Sequence, residues 1–313
     1  MSAPVSERIG GTIPAVVTPF THGGEEVDLD SLDRHVTWLH EHGIRCLAPL
    51  GTNGEGPSLS SDERRRVIDL VGSHASGIAF VPGTGCTALP ETIALSRHAL
   101  DRGAAAVLVA PPSYFPATPD GVVAYFAALL AALPGAARVF LYHIPRYTGV
   151  PIEVETVVAL RRAFGARVAG VKDSGGSLEH SRAIMDAVPD LVLLSGSDGT
   201  MAEAYRDGAH GVVSALANFA PEQVDAVRTA VAEGGTGEDE QRALSALREL
   251  THAVPQRSAL KVLVSAVTGL PRASVRPPLV DLREEEAEEL RARFGALRSG
   301  RSASPRRPGS SRP

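Results

Sequence analysis

Two residues stand out as candidates for covalent chemistry, because Lys172 and Lys261 are the only lysines among 31 basic residues. Arginine stays protonated in proteins, whereas a lysine whose pKa is lowered becomes a neutral amine that attacks a carbonyl carbon. In a chain where nearly every positive charge is an arginine, a retained lysine is a candidate for imine formation.

The two lysines lie in different surroundings. Lys172 directly follows the apolar run Val168–Val171, and a lysine that ends a buried strand loses hydration, which favours its neutral amine. The alternative is a buried ion pair with Asp173 or another carboxylate, and the local pattern leaves both open. Lys261 lies in an apolar helical segment, where we expect an ordinary side chain whose amine extends to solvent.

A tyrosine and a glycine-containing loop follow two other apolar runs. Tyr142 ends the run Arg138–Tyr142, and a tyrosine hydroxyl acts as general acid or base when other hydroxyls relay its proton. The segment Leu50–Glu55, LGTNGE, permits a tight turn whose backbone N–H groups could hold a carboxylate. His143 follows Tyr142, so strand alternation points it away from the site and predicts a structural role.

The spacing of apolar runs predicts the elements that position these residues. Eight short runs alternate with amphipathic helical segments over about 220 residues, which favours an α/β fold of the (β/α)8 TIM-barrel type. An open doubly wound sheet would carry Gly-x-Gly-x-x-Gly after its first strand, and that fingerprint is absent. Because catalytic residues of such barrels lie at the C-terminal ends of strands, Lys172, Tyr142 and the loop at 50–55 are expected to meet there.

The pattern changes beyond the eighth unit. Only helical segments follow, at about 239–254, 256–268 and 283–298, which predicts a C-terminal helical extension packed on the barrel. We therefore divide the chain into a catalytic barrel at 1–232, a helical domain at 233–298 and a disordered Arg/Ser/Pro tail at 299–313.

Composition excludes several other classes of protein. Cys46 and Cys86 have neither disulfide-framework nor zinc-site spacing, so two reduced thiols are expected and no metal site is indicated. The N-terminus lacks a signal-peptide pattern, and no apolar run is long enough to span a membrane. The formal charge is -5. We expect a cytoplasmic protein that binds small molecules and neither nucleic acid nor membranes.

Three motifs carry a family resemblance. GTNGE follows the second predicted strand, YHIP-x-x-TG spans the end of the fifth, and GVKDSGG spans the end of the sixth. In this order and spacing they resemble the dihydrodipicolinate synthase / N-acetylneuraminate lyase family of class I, Schiff-base-forming aldolases. The resemblance runs from about Gly11 to Leu297 and implies a TIM barrel with a helical extension.

The resemblance also implies roles for individual residues. Lys172 would form the imine with a 2-oxo acid, and no other cofactor is needed. Tyr142 would transfer protons, linked through Thr52 to Tyr114, which this family inserts into the neighbouring subunit's site. The resemblance therefore implies a homo-oligomer, either a dimer or a dimer of dimers. The residues implied in substrate binding are Thr52, Asn53, Val213 and Gly196.

Departures from the family pattern help to choose the reaction. Dihydrodipicolinate synthases carry the pattern Tyr-Asn-x-Pro-x-Arg-Thr-Gly after strand five. In this sequence Tyr147 stands at the position of that arginine, and Arg146 precedes it. This shift argues against the synthase activity. Asn53 in place of the usual second threonine, and KDSGG after the strand-six glycine and valine, look more like aldolases that cleave 2-keto-3-deoxy sugar acids or 4-hydroxy-2-oxo acids to pyruvate and an aldehyde. The alternatives are 4-hydroxy-tetrahydrodipicolinate synthase, a 2-keto-3-deoxy acid dehydratase, and a non-catalytic 2-oxo acid sensor.

Overall fold

Eight parallel strands form the centre of the molecule in a computed structural model that describes residues 8–299. Each predicted apolar run overlaps one strand. The strands are β1 Gly11–Pro14, β2 Cys46–Leu47, β3 Ala79–Phe80, β4 Val107–Val109, β5 Val139–His143, β6 Val168–Asp173, β7 Val192–Ser195 and β8 Gly211–Ser214. Six of them pair in the order β1-β8-β7-β6-β5-β4, and β2 pairs with β3.

Backbone hydrogen bonds between strand ends join these two groups into a closed ring. The Ala48 N–H donates to Pro14 O at 2.9 Å between β2 and β1, and the Leu108 N–H donates to Pro82 O at 2.9 Å between β4 and the end of β3. Prolines shorten the strands here, because Pro14, Pro49 and Pro82 supply no N–H to the ladder. The predicted (β/α)8 barrel is confirmed.

Eight helices surround the strands. They are α1 Leu29–Glu41, α2 Ser61–Ser73, α3 Leu89–Asp101, α4 Pro119–Ala132, α5 Val154–Phe164, α6 Leu178–Ala187, α7 Met201–Arg206 and α8 Pro221–Ala232. Local signals set their starts: Ser60 and Glu63 form a reciprocal capping box on α2, and the Thr118 hydroxyl accepts from Gly121 N–H at 3.2 Å on α4. A single helical turn, Pro145–Thr148, follows β5.

Alternation along the strands divides the core into two layers. One set of strand side chains, including Ile13, Leu108 and Phe140, fills the barrel interior, and the other set packs against the helices. Gly170 makes room for Phe140, because a Cβ there would be 2.2 Å from the Phe140 ring. The interior below the strand ends is therefore solid, and the space for a ligand lies above it.

Three more helices follow the barrel, α9 Glu238–His252, α10 Gln256–Thr268 and α11 Glu284–Arg298. They share a hydrophobic cluster with α8 and the segment after β8, and α11 contributes Ala287, Leu290 and Phe294. The division at 232/233 falls at the end of α8 and stays a prediction. The predicted disordered tail lies, from residue 300 onward, outside the described residues. Within residues 8–299, no helix has both the length and the apolar character needed to cross a bilayer.

Candidate active site

Adjacent strands place Lys172 beside Tyr142. The register of β5 and β6 pairs these two residues directly, and both side chains lie at the carboxyl end of the barrel. The Lys172 Nζ is 4.1 Å from the centroid of the Tyr142 ring, and Lys172 is 4% exposed. The lysine amine is thus held in a buried site next to a phenol, as the sequence predicts for residues at neighbouring strand ends.

The hydroxyl of Tyr142 is connected to the loop after β2. Thr52 Oγ1 and Tyr142 OH are 3.0 Å apart, within hydrogen-bonding distance. Burial alone would raise the tyrosine pKa, but the Lys172 charge and hydrogen bonds to Thr52, Lys172 and Ser174 together hold the Tyr142 pKa below its ordinary value of 10. This phenol therefore releases its proton more readily than a tyrosine in water.

The loop after β2 has a constrained backbone. Leu50 and Glu55 have φ angles of 60° and 52°, in the left-handed region that non-glycine residues rarely adopt. Arg257 Nε donates to Thr52 O at 3.0 Å and fixes the loop from above. Within the part of the chain that the structure describes, the N–H groups of Thr52 and Asn53 donate to no protein acceptor. They are available to an anionic ligand.

Asp173 does not pair with Lys172, so the alternative interpretation of Lys172 as part of a buried ion pair is wrong. Its carboxylate turns to the other side of β6, where it accepts from Gly175 N–H, His180 and Ser181, each at 2.8 Å. These hydrogen bonds outweigh burial and hold the Asp173 pKa below its usual range. Among residues 8–299, no carboxylate lies within 4.0 Å of the Lys172 amine.

His143 has the predicted structural position. Its Nδ1 accepts from Ile152 N–H at 3.0 Å, and its ring stacks on His180 with centroids 4.4 Å apart. The ligand atoms of His143, Asp173 and His180 lie within 4.8 Å of one another, as in a metal site. However, His180 Nε2 contacts Ile152 O at 3.1 Å, and its Nδ1 faces Asp173. The three side chains therefore form a hydrogen-bonded cluster on the side of β6 that faces away from Lys172.

A cavity of about 180 Å³ opens in front of Lys172. It brings together six of the seven predicted site residues, which are Thr52, Asn53, Tyr142, Lys172, Gly196 and Val213. Gly196 is required by close packing, because a Cβ there would be 1.8 Å from the Ser174 hydroxyl.

The seventh predicted residue lies elsewhere. Tyr114 is 78% exposed, contacts Phe115 edge-on at 5.1 Å between ring centroids, and lines neither the cavity at Lys172 nor the neighbouring one. The predicted role of Tyr114 requires insertion of its side chain into another subunit, and it stays a prediction.

Several other residues that line the cavity were not predicted from the sequence. Asp198 follows β7, and Arg248, His252 and Gln256 come from α9 and α10. Asp198 Oδ2 accepts from Ala215 N–H at 3.1 Å, while its buried Oδ1 has no partner among the described residues. Burial raises the Asp198 pKa above its usual value. Its position after a strand could have identified Asp198, but no local signal places the three helical residues.

The shift of arginine after β5 has a structural consequence. Arg146 lines the cavity at Lys172, whereas Tyr147 lines the neighbouring cavity, and its hydroxyl accepts from Arg257 Nη2 at 3.3 Å. The two side chains thus point to different sides of the helical turn.

The expectation for Lys261 is wrong. Lys261 is 2% exposed, and its Nζ lies 2.5 Å from Glu55 Oε1 and donates to Ser274 O at 2.6 Å. Burial lowers the Lys261 pKa to about 8, although Glu55 opposes that shift. Glu55 also accepts from Arg276 N–H at 3.1 Å. The second lysine therefore ties the helical extension to the loop that carries Thr52.

Comparison with known proteins places this arrangement in a family. The model of the dihydrodipicolinate synthetase family matches residues 8–297. The chain belongs to the dihydrodipicolinate synthetase family. The resemblance carried by GTNGE, YHIP-x-x-TG and GVKDSGG is thereby confirmed, and the chain is an enzyme of a group of lyases and aldolases.

Individual relatives extend over nearly the whole chain. A DapA-like lyase of Chloroflexus aurantiacus is 41% identical over 93% of this chain and 97% of its own. The 4-hydroxy-tetrahydrodipicolinate synthase of Methanopyrus kandleri is 32% identical over the same shares. YagE of E. coli K12, solved in complex with pyruvate, is 26% identical with a TM-score of 0.86 over 93% of this chain and 99% of its own.

Proposed function

We propose that the protein is a class I aldolase that cleaves a 2-keto-3-deoxy sugar acid or a 4-hydroxy-2-oxo acid reversibly to pyruvate and an aldehyde. The observation that carries this proposal is the buried Lys172 amine against the Tyr142 ring, with the Tyr142 hydroxyl bonded to Thr52. An amine, a proton carrier and a relay are the groups that imine chemistry on a carbonyl needs.

The steps follow from these groups. The Lys172 amine adds to the C2 carbonyl of the substrate, and loss of water gives a protonated imine. The tyrosinate of Tyr142 removes the proton of the C4 hydroxyl, the C3–C4 bond breaks to release the aldehyde, and the bonding electrons move into the imine as an enamine. Tyr142 returns the proton to C3, and water hydrolyses the pyruvate imine to free the amine.

Binding of the substrate carboxylate is assigned to the loop after β2. The N–H groups of Thr52 and Asn53 have no protein acceptor within residues 8–299, and both residues line the cavity with Lys172. Gly196 keeps the opposite wall open, and Val213 closes the cavity beside the imine. This arrangement orients the C2 carbonyl toward the lysine amine.

The position of Tyr147 favours an aldolase over the lysine-pathway synthase. The place at which synthases carry an arginine is occupied by Tyr147, which lies in the neighbouring cavity. The synthase remains the second candidate, because the Methanopyrus kandleri relative carries that name. A dehydratase that uses the same imine to expel water differs from both because it neither consumes nor releases pyruvate.

We also propose that the protein works as a homo-oligomer in the cytoplasm, as a dimer or a dimer of dimers. Tyr114 and Phe115 are large aromatic side chains that are both strongly exposed in the single chain. Exposed aromatic clusters of this kind are typical of subunit interfaces. Insertion of Tyr114 beside Thr52 of a partner would complete the proton relay.

A substrate panel tests the reaction. Purified protein is expected to consume pyruvate only when an aldehyde other than aspartate semialdehyde is present, and to release pyruvate from the corresponding 2-keto-3-deoxy or 4-hydroxy-2-oxo acid, measured by coupling to lactate dehydrogenase. Faster consumption of pyruvate with aspartate semialdehyde than with any hydroxyaldehyde would favour the synthase instead. Disappearance of the 2-keto-3-deoxy acid without pyruvate release would favour the dehydratase.

A further inference from the structure

The strand register that places Tyr142 beside Lys172 also places His143 beside Asp173, one residue further along β5 and β6. Successive residues of a strand face opposite sides, so this second pair lies on the side of the strands away from the cavity. The Asp173 carbonyl accepts from Gly196 N–H at 2.7 Å, and Gly196 lines the cavity. Contacts that fix the second pair therefore also fix the backbone that holds the lysine amine against the phenol.

His180, in the first turn of α6, lies between two hydrogen-bond acceptors. Its Nδ1 is 2.8 Å from Asp173 Oδ2, and its Nε2 is 3.1 Å from Ile152 O. Although burial opposes ionisation of Asp173, the hydrogen bonds to its carboxylate hold its pKa below the usual range. A carboxylate and a carbonyl only accept, and a neutral imidazole has one N–H to donate. Both contacts are therefore made together only by an imidazolium ring.

His180 carries the positive charge that faces Asp173. The neighbouring imidazole of His143, stacked on it from β5, accepts a backbone N–H at its Nδ1, and burial lowers the pKa of His143, so that ring is neutral. Glu153, which precedes α5, adds a negative charge nearby, and Glu179 on α6 is exposed. Among residues 8–299, no lysine or arginine lies within 4.0 Å of the Asp173 carboxylate. The hydrogen bond to Asp173 accordingly raises the pKa of His180 above its ordinary value.

We propose that His180 is a positioning residue for the catalytic lysine. As a fixed imidazolium it neutralises Asp173 and ties α6 and the segment before α5 to the end of β6. Without it, an uncompensated carboxylate one residue from Lys172 would favour the protonated amine, which does not attack a carbonyl. This inference rests on the proposed imine chemistry and assigns a residue outside the cavity to its support.

The test is the pH dependence of pyruvate trapping on Lys172 by cyanoborohydride, measured as an initial rate with limiting pyruvate. For His180→Gln, which removes the charge, the midpoint of the rate against pH should move upward, with trapping about three- to thirty-fold slower at neutral pH. The two proteins should converge at alkaline pH. There the amine is neutral in both, and wild-type His180 itself loses its proton as the pH rises through its raised pKa. An unchanged midpoint overturns the inference.

Two further variants separate charge from packing. Asp173→Asn combined with His180→Gln removes both charges and should return the midpoint to the wild-type value. Slowing by one factor at every pH, in the single and in the double variant, would indicate a role in packing alone and overturn the inference. His98→Gln is the matched control, because His98 Nε2 pairs with Asp69 at 2.7 Å between α3 and α2 and lines no part of the cavity at Lys172. Its midpoint should equal that of the wild type.

A second measurement does not depend on the proposed function. Acetic anhydride acylates neutral amines, so acetylation of Lys172 against pH, read on its peptide by mass spectrometry, reports the fraction of neutral amine. The midpoint for His180→Gln should again lie above that of the wild type. If wild-type Lys172 traps no pyruvate but this shift is found, the imine proposal fails and the role of His180 stands. If pyruvate is trapped and the acetylation midpoints are equal, the imine proposal stands and the role of His180 fails.

Discussion

Replacing Tyr142 with phenylalanine is expected to lower kcat by about 10²- to 10⁴-fold, the range for loss of a positioned acid–base group. The phenol is the group within hydrogen-bonding distance of Thr52, and its lowered pKa suits it to both directions of proton transfer. The Tyr142→Phe variant keeps the ring beside Lys172, so imine formation should persist while cleavage of the C3–C4 bond slows.

The control for this change is Tyr205→Phe, since the Tyr205 hydroxyl donates to Gly11 O at the opposite end of the barrel. That variant should keep the wild-type kcat. Steady-state rates for both variants, with reductive trapping of pyruvate on each, separate the two steps. Near-full turnover by Tyr142→Phe would show that another group moves the proton.

Replacing Lys261 with methionine is expected to destabilise the fold by about 3–5 kcal/mol, because it leaves the buried carboxylate of Glu55 without its cation. The Lys261 Nζ also lies over the Phe20 ring, 4.4 Å from its centroid, so the site is dry on several sides. Since Glu55 ends the loop that carries Thr52, the KM for pyruvate should rise together with the loss of stability.

Arg291→Met serves as the comparison, because Arg291 pairs with Glu284 at 2.8 Å on the surface. An exposed pair of that kind contributes about 0–1 kcal/mol. Urea denaturation should therefore show a large shift for Lys261→Met and a small one for Arg291→Met. Adding Glu55→Gln to Lys261→Met should recover part of the stability, and equal midpoints for the two single variants would contradict the account.

The barrel and the position of Lys172 at the end of a strand could be predicted because their signals are local. Each apolar run and its flanking prolines or caps lie within a few residues, and Lys172 directly follows such a run while Tyr142 ends one. Parallel strands in a closed barrel bring their carboxyl ends together, so the loop at 50–55 was expected near Tyr142 and Lys172. The specific link between Thr52 and Tyr142 came from the family resemblance.

The remaining features depend on contacts between distant parts of the chain. The apolar neighbours of Lys261 predict a helix facing inward, but not that a glutamate from the loop after β2 meets it there. Arg248 and His252 enter the cavity because α9 packs beside the loop after β7, which no local pattern encodes. Tyr114 is predicted to lie in the site of a neighbouring subunit, which is a contact between chains.

Reductive trapping of pyruvate tests the central claim, that Lys172 forms an imine. With only two lysines in the chain, and Lys261 held in a buried ion pair, few amines compete for the label. Borohydride added in the presence of pyruvate should inactivate the enzyme and leave one reduced pyruvate unit on the peptide that contains Lys172, and Lys172→Arg should remain unlabelled. An active enzyme with no stable adduct on Lys172 would contradict the account.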